Sequence, residues 1–423
     1  MILTSEKTEK LSGVVSVPGS KSYTIRAVVA AALAEGISII KNPLISDDTK
    51  ACIEICEKIG AKIKKKENEL EVMGVGGIIK NPHETLNTKN SGTTIRLMTA
   101  VASLCDEEIT LTGDESIQRR PIQPLLDALN QLGVQSNSTN GCPPVMVKGP
   151  LIGGRCKIPG DVSSQFISAL LMASPLARKD VEIEITTELK SRPYIDLTLL
   201  ILKKFGIKIE NKNYKKFAIP AGQRYSAVKY TVECDYSSAA FLLAAAALTK
   251  SNVTVTNLFR NSKQADKKII EILKRMGAQA RVSADKVSIK GTGNLKGITI
   301  DLSQSPDLVP IMAVLGSLAK GKTVIKNVEH ARLKECDRIK AMATELKKMG
   351  ADIDERKDGF VINGGKLKGA SVDGWRDHRI VMALAVAGLC ADGRTRISDA
   401  EFVGVTFPNF AELMRKLDAN IRI

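Results

Sequence analysis

Apolar positions along the chain fall into two kinds of helical stretch, separated by short alternating runs of β-branched residues. The first kind is Ala-rich and apolar on every side: 25–34, 94–104, 166–177, 239–248, 308–319 and 380–391. A helix without a polar face has to be buried all round, so these six are expected inside the molecule. The second kind is amphipathic and ends at a glycine: 52–60, 125–133, 199–206, 269–277 and 339–350, with 410–417 closing the chain. These are expected on outer surfaces, and the glycines suit a left-handed C-terminal cap. Each apolar helix is followed by a strand-like run, at 37–40, 108–111, 181–185, 253–255, 323–325 and 395–397.

The apolar helices recur about every 70 residues, six times over. Units with two helices and several strands are too thick for a thin solenoid and are expected to gather into compact lobes. A single core stops growing beyond roughly 250 residues, so six units divide into two lobes of three. The break falls near 232–236, giving an α/β molecule with an N-terminal lobe of 21–235 and a C-terminal lobe of 1–20 with 236–423. Residues 2–17 stand outside the first repeat and are expected to pair with the C-terminal lobe. The turn at 18–22 then lies at a hinge, and a cleft between lobes is the expected place for a small-molecule site.

Composition narrows the class further. Lys and Arg number 62 against 46 Asp and Glu, a net charge of +16 that suits acidic partners. Phe, Trp and Tyr make up only 4%, and the lysine runs 64–66 and 203–204 read as solvated faces. Nucleic-acid grooves interleave aromatics with their charge, so small polyanions are the expected partners rather than nucleic acid. The eight cysteines include no Cys-x-x-Cys pair and there are three histidines, which argues against disulfides and a metal site. The charged stretch 4–10 lacks the apolar core of a signal peptide, and the longest apolar runs, about a dozen residues, are too short for a bilayer. A reducing cytoplasm and no membrane partner are expected.

Candidate chemistry gathers at the starts of the apolar helices. Pro18-Gly19-Ser20-Lys21-Ser22 ends a strand and leads into the first of them, with Arg26 one turn on. The free N–H groups and dipole of a helix start favour a phosphate or carboxylate, Ser20 or Ser22 is placed to cap, and Lys21 adds a full charge. The stretch is not a Walker A loop, because Ser20 rather than Gly precedes Lys21. The other starts read Asn90-Ser91-Gly92-Thr93-Thr94-Ile95-Arg96, Asp161-Val162-Ser163-Ser164-Gln165, Asp235-Tyr236-Ser237-Ser238, Ser305-Pro306-Asp307 and Arg376-Asp377-His378-Arg379. Capping explains Ser, Thr and Asp there, but a cation is unfavourable at a helix N-terminus. Lys21, Arg26, Arg96 and Arg379 therefore break a local rule, as residues at functional sites do. Further cations lie at Arg119-Arg120 and in Arg332-Leu333-Lys334-Glu335-Cys336-Asp337-Arg338, where helical spacing puts Lys334, Asp337 and Arg338 on one face and Glu335 elsewhere.

Taken with Arg192-Pro193-Tyr194-Ile195-Asp196, these motifs resemble the EPSP synthase (3-phosphoshikimate 1-carboxyvinyltransferase) family across essentially the whole chain, in order. The resemblance implies an enolpyruvyl-transferase fold of two lobes, each with three βαβαββ repeats and internal helices. It implies transfer of the enolpyruvyl group of phosphoenolpyruvate to the 5-hydroxyl of shikimate 3-phosphate, with release of phosphate, by a monomer that uses no metal or organic cofactor. Carried over by position, Lys21, Ser22, Arg26, Ser163, Ser164, Gln165, Ser191, Asp307 and Lys334 contact shikimate 3-phosphate. Lys21, Gly92, Arg120, Gln165, Arg338 and Arg379 hold phosphoenolpyruvate, and Asp307, Glu335 and Lys21 are the candidate proton carriers. One position departs from the family: Val405 stands where a Lys often precedes the Thr-Phe-Pro stretch, which removes one expected phosphoenolpyruvate contact. Two alternatives share related repeats. The UDP-N-acetylglucosamine enolpyruvyl transferases carry Lys-Asn where this chain has Lys21-Ser22, and an RNA-binding or RNA 3'-end cyclase-like protein would use the positive charge.

Overall fold

The computed structural model describes residues 1–423. The chain divides into two units, Gly19–Val232 and Met1–Pro18 with Glu233–Ile423. The divisions fall slightly ahead of those the repeats suggest, because residues just after Val232 are tied to the segment before Gly19: Asp235 N donates to the Pro18 carbonyl (3.0 Å).

Unit Gly19–Val232 contains three four-stranded sheets of one plan. Ile37–Lys41 runs parallel to Lys229–Thr231 and antiparallel to Glu69–Met73, which pairs with Lys62–Lys66. Glu108–Thr112 and Val181–Ile185 hold the same place in the other two sheets. The alternation that marks these runs as strands puts Ile109 and Leu111, Val181 and Ile183 on the buried face. The apolar helices Lys21–Leu33, Gly92–Ala102 and Ser164–Ala173 share one core with those faces. Asp47–Lys58, Gln123–Gln131 and Arg192–Lys204 turn their apolar sides inward, and Asp48 and Thr198 are buried with them. Their ends turn into the left-handed region at glycine, as at Gly60 (φ 112°) and Gly206 (φ 86°), where a side chain would be strained.

The other unit repeats the plan with three further four-stranded sheets. The N-terminal segment supplies two of its strands. Leu3–Ser5 lies antiparallel to Thr395–Ile397 and Ile421–Arg422, and Ser12–Ser16 lies parallel to Asn252–Thr256. Tyr236–Leu248, Val309–Leu318 and His378–Gly388 form the apolar centre, with almost every side chain buried. Five of the six internal helices begin before the apolar run does, so polar residues that precede the run occupy their first turns, while Val309–Leu318 is preceded by a short helix, Pro306–Leu308, that carries Asp307. That placement sets the chemistry.

Candidate functional site

In unit Gly19–Val232 the predicted residues lie at the starts of three internal helices. Gly19 has no room for a side chain: a Cβ would run into the Asn42 carbonyl oxygen. Lys21 opens its helix and its ammonium pairs with Asp48 (2.9 Å), itself buried in the first turn of Asp47–Lys58. Ser20 is the N-cap residue, but its hydroxyl makes no capping bond and is buried without a partner, so the expected cap is corrected. Arg26 is 1% exposed, and all its bonds go to neutral oxygens: Thr198 Oγ1 (2.7 Å), the Ser22 carbonyl (3.0 Å) and Ser168 Oγ (3.4 Å). Burial pulls its guanidinium down to about 10, against the opposing influence of Tyr194 and Tyr23. A cation held this deep without a carboxylate is a costly arrangement that an incoming anion would relieve.

Gly92 begins the second helix, and a Cβ there would lie 2.6 Å from Arg120 Nη1 and 2.7 Å from Arg96 Nη1. Glycine is needed because two guanidiniums share the space. Arg96 donates to the Gly92 carbonyl (2.9 Å) and to Gln165 Oε1 (3.0 Å), and lies over the Phe166 ring. Gln165 Nε2 donates in turn to Thr93 Oγ1 (3.1 Å), and Gln165 N to Ser163 Oγ (3.3 Å). Arg120 is buried and bonded to Ser116 Oγ (2.8 Å). Ser163 and Ser164 open the third helix. Ser191, at φ 54°, precedes Arg192–Lys204, and its hydroxyl is joined to none of the others by a hydrogen bond.

The second unit collects Asp307, Lys334, Glu335, Arg338 and Arg379 into one ionic cluster. Asp307 Oδ1 faces Arg338 Nη1 (2.8 Å) and Lys334 Nζ (3.6 Å), while Oδ2 accepts from Arg379 Nη2 (3.1 Å). Arg338 also bonds Glu335 Oε2 (2.6 Å) and Asp377 Oδ2 (2.8 Å). Burial works against the Arg338 charge, but Asp377, Glu335 and Asp307 outweigh it and hold the guanidinium well above its ordinary value. Lys334 moves the other way: burial lowers it, Arg338 and Arg379 add to that, and Asp307 only partly compensates. Cys336 sits 3.7 Å from Asp377 Oδ2, and burial together with that carboxylate pushes its thiol up, keeping it protonated.

The single helical face expected for Lys334, Asp337 and Arg338 is corrected. The helix starts at Arg338 with Asp337 as its cap, accepting from Lys340 N, so Lys334 and Glu335 lie on the chain ahead of it. Arg96, Asp48 and Asp377 hold the predicted residues in place, bonded to Gln165, Lys21 and Arg338. Arg96 breaks the helix-start rule, while Asp48, in a first turn, and Asp377, a cap, are residue types that ordinary helix starts carry. Val405 is buried at the end of the short helix Ala400–Val405.

Two sets of cations, each served by helix starts, match the needs of small polyanions. The protein is similar throughout to proteins with that chemistry. A family model described as EPSP synthase (3-phosphoshikimate 1-carboxyvinyltransferase) matches residues 5–414. The chain is 50% identical to the 3-phosphoshikimate 1-carboxyvinyltransferase of Methanocaldococcus jannaschii, covering 100% of this chain and 99% of that one. It is 50% identical to the protein of that name from Methanococcoides burtonii, covering 97% and 96%. A solved EPSP synthase from Acinetobacter baumannii superposes with a TM-score of 0.84 at 29% identity, covering 100% of this chain and 99% of that one. With helix starts, buried cations and full-length similarity in agreement, the chain belongs to the EPSP synthase family.

Proposed function

We propose that this protein carries out the reaction of its family, moving the enolpyruvyl group of phosphoenolpyruvate onto the 5-hydroxyl of shikimate 3-phosphate and releasing phosphate. The carrying observation is Arg26, a cation buried among hydroxyls with no carboxylate beside it. Shikimate 3-phosphate would supply the missing negative charge, with Lys21, Ser22, Ser163, Ser164, Gln165 and Ser191 from the same unit and Asp307 and Lys334 from the other. Phosphoenolpyruvate would take Arg120 beside Gly92, with Lys21 and Gln165, and Arg338 and Arg379 from the second unit.

Before substrate binds, the protein's own carboxylates occupy the cations. Asp307 is held by Lys334, Arg338 and Arg379, and Lys21 by Asp48. Substrate phosphate and carboxylate groups replace these partners with little rearrangement, since the donors are already fixed. Asp307 is then free to accept the 5-hydroxyl proton as oxygen adds to the enol carbon. Glu335 or Lys21 delivers a proton to the methylene carbon, and the reverse transfer accompanies loss of phosphate. Side chains of this chain move the protons and stabilise the charge while the carbon–oxygen bond to the 5-hydroxyl forms and the one to phosphate breaks.

No helix is long and apolar enough to cross a membrane. Eight free cysteines support a reducing cytoplasm, where the protein would work as a monomer. The test is phosphate release from phosphoenolpyruvate and shikimate 3-phosphate together. Release that requires both is expected, and none from well-folded protein overturns the assignment.

A further inference from the structure

The turn that carries Asp307 is tied to a second turn, and that one bears a carboxyl group that the reaction above does not use. Asp266 sits in the short helix Ala265–Lys267 and is 1% exposed. Its Oδ2 accepts from Ser237 Oγ (2.6 Å), while its Oδ1 is buried with no hydrogen-bond partner. The turn is held firmly against its neighbours. Gln264 Oε1 accepts from Tyr236 N (2.9 Å), its Nε2 donates to the Cys234 carbonyl (2.8 Å), and Ser305 Oγ donates to the Ala265 carbonyl (3.1 Å). That last bond ties the turn carrying Asp266 to the turn carrying Asp307.

The charged groups that act on Asp266 come from three directions. Asp235, the cap of Tyr236–Leu248, and Asp307, in Pro306–Leu308, oppose its ionisation, while Arg379 at the start of His378–Gly388 favours it. The lysines next along the chain serve other groups: Lys267 Nζ bonds the Arg260 and Ser262 carbonyls, and Lys268 Nζ bonds the Asp301 carbonyl. Two carboxyl groups in one buried site do not both ionise readily. Asp307 is paired with Lys334, Arg338 and Arg379, whereas Asp266 accepts only from Ser237.

We propose that Asp266 is a positioning residue for anion binding: a buried carboxyl that keeps its proton beside ionised Asp307 and thereby leaves the charge of Arg379 available to an anionic substrate. Ionised, Asp266 would add a second negative charge acting on Arg379 and weaken the hold on that substrate. Burial, with the Asp307 charge next, pushes Asp266 up to about 7, so the change falls in the working range. The substrate in question is phosphoenolpyruvate, which rests on the assignment of Arg379 made above.

The test compares KM for phosphoenolpyruvate, at saturating shikimate 3-phosphate, in the parent and Asp266→Asn between about pH 5.5 and about pH 9. The ratio of the two KM values cancels the substrate's own titration. The parent's KM is expected to match the variant's at the acid end and to exceed it about tenfold at the alkaline end, with the change centred near 7. A ratio that stays flat with pH overturns the proposal, because a purely structural role moves KM equally at every pH. Ser237→Ala provides a second variant if Asp266→Asn fails to fold. Ser237 favours the ionised form, so its loss should carry the parent's alkaline rise in KM to higher pH, and an unmoved rise overturns the proposal. Turnover by the parent with both substrates separates failure of this inference from failure of the reaction assignment.

Discussion

Arg26 and Asp307 occupy opposite electrostatic situations, and the difference sets what their replacement should do. Arg26 is a buried cation surrounded by hydroxyls, so removing its charge also removes a desolvation cost. Arg26→Met should weaken shikimate 3-phosphate by about 2–5 kcal/mol, as expected for loss of one partner of a buried pair. Its melting temperature should fall little or rise, and a large fall would mean that Arg26 supports the fold instead. Asp307 faces three cations and Glu335 faces one, so each is fixed before substrate arrives. Asp307→Asn and Glu335→Gln should each lower kcat by roughly 10² if they move protons. Near-normal turnover in either variant removes that residue from the proton path. Gly92→Ala would push its methyl against Arg120 and Arg96, and should raise KM for phosphoenolpyruvate far more than it changes the melting temperature.

At the scale of elements, one acid does two tasks. Asp377 caps His378–Gly388 by accepting from Arg379 N (2.8 Å), and the same carboxylate takes the Arg338 Nε–H (2.8 Å). The helix start and the cation cluster are therefore one unit. Loss of a cap costs about 1 kcal/mol, whereas breaking a buried ion pair costs about 3–5 kcal/mol. Asp377→Ala should accordingly destabilise the protein by the larger amount in denaturant titrations, and a loss of cap size alone would show that Arg338 finds another partner. Sequence periodicity locates these helices well, because burial on all sides leaves few polar positions in them. It does not locate the backbone between Leu333 and Asp337, where charges at helical spacing lie on a non-helical segment. Helical spacing is a local signal, and here the pull of Asp307, Asp377 and Glu335 on the cations overrides it.

At the scale of the molecule, Gly19–Val232 is a continuous piece of chain with its own core and three complete sheets. Expressed alone, it should melt cooperatively and show no turnover, since Asp307, Glu335, Lys334, Arg338 and Arg379 lie in the other unit. A fragment without a cooperative transition would show that its core depends on the rest of the chain. The other unit is assembled from both ends of the sequence, because Leu3–Ser5 and Ser12–Ser16 complete sheets begun far along the chain.

The sequence by itself determined the six internal helices, the strands that follow them, the attachment of the N-terminal segment to the later half and the residue types of an anion site. Those features follow from local periodicity and from cations placed where a helix dipole disfavours them. Only the tertiary structure decided which charges meet. It paired Lys21 with Asp48, left Arg26 among hydroxyls, packed two guanidiniums against Gly92 and tied the turn of Asp266 to that of Asp307. Lys21 with Asp48 and Gly92 with its two arginines meet within one repeat, whereas Arg26 with Thr198 and Ser168 and the turn of Asp266 with that of Asp307 join separate repeats, and burial decides how strongly each charge is felt.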